Sequence, residues 1–181
     1  MDYWIVFCLK NIYTEVMKSS RFFNLYFDPI RLAASLVITF LPGILGSVVT
    51  INSVNTWYST LRKPFFSPPN WIFGPVWTTL YFLMGVSLYL VWISKKNQKE
   101  KKKALVLFML QLFLNGVWSF LFFGFQLPLV ALFELIMLWF ILATTLRSFV
   151  RISSTAALLL IPYFLWVSFA MLLNAAIVLL N

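Results

Sequence analysis

The residues of this chain that could do chemistry are indoles, phenols, amides and a single carboxylate placed within an apolar run. Gln111, Asn115 and Trp118 stand at i, i+4 and i+7, one face of a helix. Tyr163, Trp166, Ala170 and Asn174 repeat that spacing near the C-terminus, and Trp77, Tyr81 and Met84 share a face further upstream. Such groups stack and hydrogen-bond; they form no nucleophile–base pair, and no zinc spacing, Walker loop or dinucleotide glycine pattern accompanies them. The chain has no histidine, which removes the commonest metal ligand and the usual near-neutral acid–base group. Conventional acid–base or metal-dependent hydrolysis is therefore not expected, and no metal or cofactor is required. The faces themselves read two ways. They are either interhelical hydrogen bonds, worth about 0.6 kcal/mol each in bundles, or the wall of a largely apolar cavity with a few amide donors.

The elements that carry these faces are set by composition. Of the 181 residues, 62% are hydrophobic and 10% charged, against roughly half and a quarter in soluble domains. With a mean hydropathy of +0.91, the chain falls in the membrane class. Five runs are long enough to cross a bilayer core, at about 32–52, 71–93, 104–124, 128–146 and 155–179. The expected fold is all-α, an integral membrane bundle of five transmembrane helices. Glu134 is the acid inside a span, where it is either a functional group or the partner of an amide or helix end. In the first span Ser35, Thr39, Gly43 and Ser47 recur every fourth residue, a stripe that lets another helix approach closely.

Charge sets the orientation. Twelve of the 14 cations fall on one side: the N-terminal segment, the run Lys95–Lys103, and Arg147 with Arg151. The opposite side carries Arg62 and Lys63. The N-terminus is thus expected in the cytoplasm, with the protein in a bacterial inner membrane. The net charge of +9 is read as this topology signal, not as a nucleic-acid surface. Residues 1–30 form an extension, interfacial or disordered, ahead of a bundle domain over 31–181; its apolar stretch Tyr3–Leu9 is too short to span and lacks a basic n-region. Cys8 is the single cysteine, so no intrachain disulfide exists.

Three stretches carry a resemblance. "WYSTLRKPFFSPPNWIFGPVWTTLYFLMGVSLYLVW" (57–92), "QLFLNGVWSFLFFG" (111–124) and "PYFLWVSFAMLLNAAIVLLN" (162–181) resemble the signature regions of the TspO/MBR family, the tryptophan-rich sensory proteins and mitochondrial translocator proteins (the peripheral benzodiazepine receptor). The resemblance implies a five-helix bundle, commonly a homodimer, that binds protoporphyrin IX and related hydrophobic ligands in a pocket covered by the first loop. It implies Trp57, Trp71, Trp77, Asn115, Trp118, Trp166, Ala170 and Leu173 as pocket residues. The implied role is that of a tetrapyrrole sensor or transporter. The alternatives are light- and oxygen-dependent porphyrin degradation, or a lipid-handling scaffold in stress regulation. Phe66 and Val130 stand where many members, or the animal members, have Trp, and the C-terminal segment lacks the animal sterol pattern.

The loop between the first two spans is unusually built. Pro64, Pro68 and Pro69 restrict its backbone, and Arg62 and Lys63 supply its charge. These five residues are expected to form a stiff lid over the pocket, which opens to admit ligand.

Overall fold

A computed structural model describes residues 27–181, so the expectations for the N-terminal extension fall almost wholly outside the described residues. Those residues are helical without strands: α1 Pro29–Val54, the short α2 Trp57–Thr60, α3 Asn70–Ile93, α4 Gln98–Ser119, α5 Pro128–Ile152 and α6 Ser154–Leu180. A π-helical turn, Phe120–Gly124, continues α4. All but α2 are long and apolar enough to cross a membrane.

Local chemistry explains where the helices start. Asn97 caps α4 by accepting the Lys99 N–H at 2.9 Å, Ser153 caps α6 by accepting that of Ala156 at 3.2 Å, and Pro128 opens α5 where its missing N–H costs nothing. The first of these caps moves the beginning of α4 from the expected residue 104 back to Gln98, so four of the six lysines of the run are in helix and not loop. Within it Lys101 Nζ donates to the carbonyls of Trp92 (2.9 Å) and Ser94 (2.8 Å). A cation thus satisfies carbonyls left open at the C-terminal end of α3, where the helix dipole favours it.

Helices α3 to α6 share a core in which Met84, Phe108, Leu138, Leu142, Phe149 and Leu160 are fully or almost fully buried. Phe108 of α4 stacks on Phe149 of α5 at 5.6 Å. In a bilayer such contacts act through close packing, because lipid tails are as apolar as the side chains themselves. Helix α1 leans on this group through small residues. A Cβ built on Gly85 of α3 would lie 2.6 Å from Leu36 Cδ2 and 2.9 Å from Thr39 Oγ1, and one on Gly116 of α4 would lie 3.2 Å from Pro42 Cβ. The stripe on α1 therefore packs as expected at Ser35, Thr39 and Gly43, while Ser47 is exposed.

Two glycines of α3 give opposite expectations for the same change. At Gly85 a methyl meets the Leu36 backbone Cα at 3.1 Å and a hydroxyl within reach of three carbonyls, so Gly85→Ala should destabilise by about 1–3 kcal/mol. At Gly74 a Cβ meets nothing within 4 Å, and Gly74→Ala should be stabilising by about 0.5–1 kcal/mol from helix propensity alone. Thermal unfolding of the two variants in detergent, compared with the parent chain, measures both signs.

Candidate ligand cavity

The inward helix faces form both interhelical hydrogen bonds and a cavity wall, at different depths. Toward the core, the Tyr81 hydroxyl donates to Asn115 Oδ1 at 2.7 Å, an interhelical hydrogen bond between α3 and α4. The Tyr163 hydroxyl lies against the same amide but out of hydrogen-bonding geometry. On the loop side of this layer a cavity of about 500 Å³ opens between α1, α2, α3, the π-helical end of α4, and α6. That size is ordinary for a small-molecule site.

Its wall is aromatic, and the rings brace one another. Trp77 stacks on Tyr81 at 5.4 Å, Trp118 stacks on Phe122 at 5.1 Å, and Phe73 meets Trp166 edge-on at 5.9 Å. Each ring pair fixes the plane of a side chain facing the cavity. Asn174 donates to the Pro128 carbonyl at 3.1 Å, which ties α6 to the start of α5. Its Oδ1 and the Trp118 Nε1 make no hydrogen bond within the protein. One buried acceptor and one buried donor are thus left without a protein partner in a wall that is mainly apolar but also carries Ser47, Thr50, Asn70, Thr78 and Ser119.

The structure brings together Trp77, Trp118, Trp166, Ala170 and Leu173 around the cavity. It does not bring the other three. Asn115 lies behind the wall, bonded to Tyr81. Trp57 packs its edge on Phe122 at 5.6 Å and supports the wall from outside. Trp71 is 73% exposed. The lining residues of α3 are Asn70, Phe73, Gly74, Trp77, Thr78 and Tyr81; Trp71 lies at the outer edge of that stripe, on the Gly74–Thr78 side, and does not line the cavity.

Of the lining residues not singled out from sequence, Phe122 was within reach, since it continues the 111, 115, 118 face by four residues. Phe40, Tyr58 and Phe73 had no comparable signal.

None of the five loop residues lines the cavity, and of them Lys63 touches Tyr58, which does. The Lys63 ammonium lies 4.2 Å from the centre of the Tyr58 ring. Burial pushes the Tyr58 phenol above its ordinary value, opposed in part by a hydrogen bond with Ser67, so the ring under Lys63 is neutral at physiological pH. Arg62 is exposed, and its backbone N–H and C=O both bond the Asn181 side chain, at 2.9 and 3.0 Å. Glu134, 7% exposed on α5, does not line the cavity, and neither of its carboxyl oxygens has a protein hydrogen-bond partner.

The fold and cavity define a class: a multi-pass membrane protein built as a five-helix bundle, with an aromatic chamber at the loop end. The family model of the TspO/MBR family matches residues 34–180, and the chain belongs to that family. It is 46% identical over 152 residues to the tryptophan-rich protein TspO of Archaeoglobus fulgidus, covering 84% of this chain and 97% of that protein. It is 39% identical over 135 residues to the translocator protein of Bos taurus (74% and 80%), and 32% identical over 150 residues to the tryptophan-rich sensory protein of Cereibacter sphaeroides (81% and 92%).

The Tyr81–Asn115 bond is testable alone. Tyr81→Phe leaves the Asn115 carbonyl oxygen buried without its donor, and should cost about 1–3 kcal/mol. Adding Asn115→Leu removes the orphan, so the double variant should be destabilised by less than the two single changes together, measured as a double-mutant cycle in detergent.

Proposed function

We propose that this protein is a membrane receptor, acting as sensor or transporter, that binds protoporphyrin IX and related flat hydrophobic tetrapyrroles in the cavity. The observation that carries the reading is the wall itself, where Phe73, Trp77, Trp118 and Trp166 surround one chamber from three helices. A planar macrocycle gains most from such surfaces, because it stacks on rings whose orientation is already fixed and loses little conformational entropy on binding. Its carboxylates would lie toward the loop end, where Arg62 is exposed. The names of the relatives, a sensory protein and a translocator protein, agree with a role in binding and signalling or moving a small molecule. The proposed setting is a bacterial inner membrane with the N-terminus in the cytoplasm, which puts the 61–69 loop on the opposite side.

Titration of the purified protein with protoporphyrin IX, followed by tryptophan quenching and the Soret band, tests the reading. Trp77→Ala and Trp166→Ala should each weaken binding about tenfold, the loss of one stacking surface. Trp71→Ala, which does not change a lining residue, should leave the affinity within about twofold. No quenching and no Soret change at micromolar porphyrin would overturn the proposal.

A further inference from the structure

We propose that ligand reaches the cavity from inside the bilayer, through a cleft between α1 and α3 whose width is set by Gly74, and not past the 61–69 loop. The inference rests on the tetrapyrrole reading above and adds the route. The two helices pack as a wedge. At Gly85 they are in contact, with a built Cβ only 2.6 Å from Leu36; at Gly74, three turns along the same helix, a Cβ meets nothing within 4 Å. Beyond the point where Gly43 seats against Tyr81, the rim of the cleft is Ile44, Ser47 and Ile51 on α1, and Asn70, Gly74 and Thr78 on α3. All six line the cavity and all six are exposed, Ile51 by 67% of its surface, so the chamber is continuous with the lipid-facing side.

The rim is suited to lipid. The Ser47 hydroxyl donates to the Ile44 carbonyl at 2.7 Å and that of Thr78 to the Gly74 carbonyl at 2.9 Å. Each hydroxyl is satisfied one turn back on its own helix, so neither presents an unmet donor to hydrocarbon, and the Asn70 amide lies at the first residue of α3.

The loop side is fastened instead. Asn181 holds both backbone groups of Arg62 and also donates to the Ile177 carbonyl at 2.8 Å. Lys63 sits on Tyr58, and Phe66 meets Phe169 of α6 at 6.4 Å. A hydrophobic macrocycle already concentrated in the bilayer would therefore meet the open cleft before the closed loop.

The test uses the full chain in proteoliposomes. Gly74→Phe fills open space on a lipid-facing rim, so the bundle should fold. Stopped-flow protoporphyrin IX quenching should give on- and off-rates that both fall, by about tenfold each, as expected for a narrowed passage. A change in off-rate alone would mean that Gly74 is only wall. Asn181→Ala unfastens the loop and should leave both rates within about twofold; acceleration of both would make the loop the gate and overturn the inference. A nitroxide at Thr78→Cys reads the cleft without porphyrin. It should be accessible to oxygen and shielded from aqueous nickel chelate, with oxygen access reduced by Gly74→Phe. A wild-type protein that binds no porphyrin would sink the tetrapyrrole reading, and the spin label would then decide the cleft alone: access to nickel equal to that of oxygen would overturn it.

Discussion

The bundle turns on Tyr81. Its hydroxyl donates to Asn115 on α4, its carbonyl oxygen lies 3.1 Å from the Thr39 hydroxyl on α1, its ring stacks on Trp77, and its edge fills the notch left by Gly43. One residue of α3 thus touches two of the helices that bound the cavity and forms part of its lining. In hydrocarbon there is no water to satisfy a buried phenol or amide, so the pair must be made between helices or not at all. The individual bond is modest, but its geometry fixes three helices relative to one another. Ring planes one turn away then inherit that alignment.

The two ends of the bundle diverge from this layer. On the lysine side large side chains fill the core between α3 and α6, and Ser87 donates to the Ala156 carbonyl at 2.7 Å. On the loop side α1 departs from α3, and the space is occupied by rings attached to the far walls. The difference lies in residue size along one face. Where α3 presents Gly85, α1 comes into contact; where it presents Trp77, the indole must turn toward Tyr81 and Tyr163, and α1 is held off. A packed core and a cavity are thus made from the same helices by a change of side chains over two to three turns.

Much of this was legible in the sequence because a bilayer leaves few options. Length and hydropathy gave five spans, and helical spacing sent Trp77, Asn115, Trp118, Trp166 and Asn174 inward. The period could not separate depth: Asn115 and Trp118 share a face, yet one bonds Tyr81 behind the wall and the other lines the chamber. The start of α4 was misplaced because hydropathy ends where the lysines begin, whereas the helix is set by the Asn97 cap. Trp71 was placed in the pocket by resemblance, although it is exposed at the outer edge of the α3 stripe and does not line the cavity. The long-range contacts were the least legible. Nothing local in "LLNAAIVLLN" says that Asn181 will hold the backbone of Arg62, 119 residues away.

That contact changes the meaning of the proline-rich loop. Prolines lower the entropy of a loop but supply no attachment, and a loop merely stiffened could still swing as a body. Here the stiff segment is also fastened at three separated points: Arg62 to the end of α6, Lys63 to Tyr58, and Phe66 to Phe169. Moving it away would break two backbone hydrogen bonds and expose the aromatic cluster around Tyr58 and Phe122 to water. While the Thr39 hydroxyl still holds the Tyr81 carbonyl deeper in the bundle, widening the rim between Ile44–Ile51 of α1 and Asn70–Thr78 of α3 breaks no hydrogen bond of the rim hydroxyls, which are satisfied within their own helices. It replaces protein contact by lipid contact, which is nearly isoenergetic in the bilayer. The lowest-cost motion of the cavity wall is therefore on the membrane side, with the rigid loop acting as the fixed end against which that wall can move.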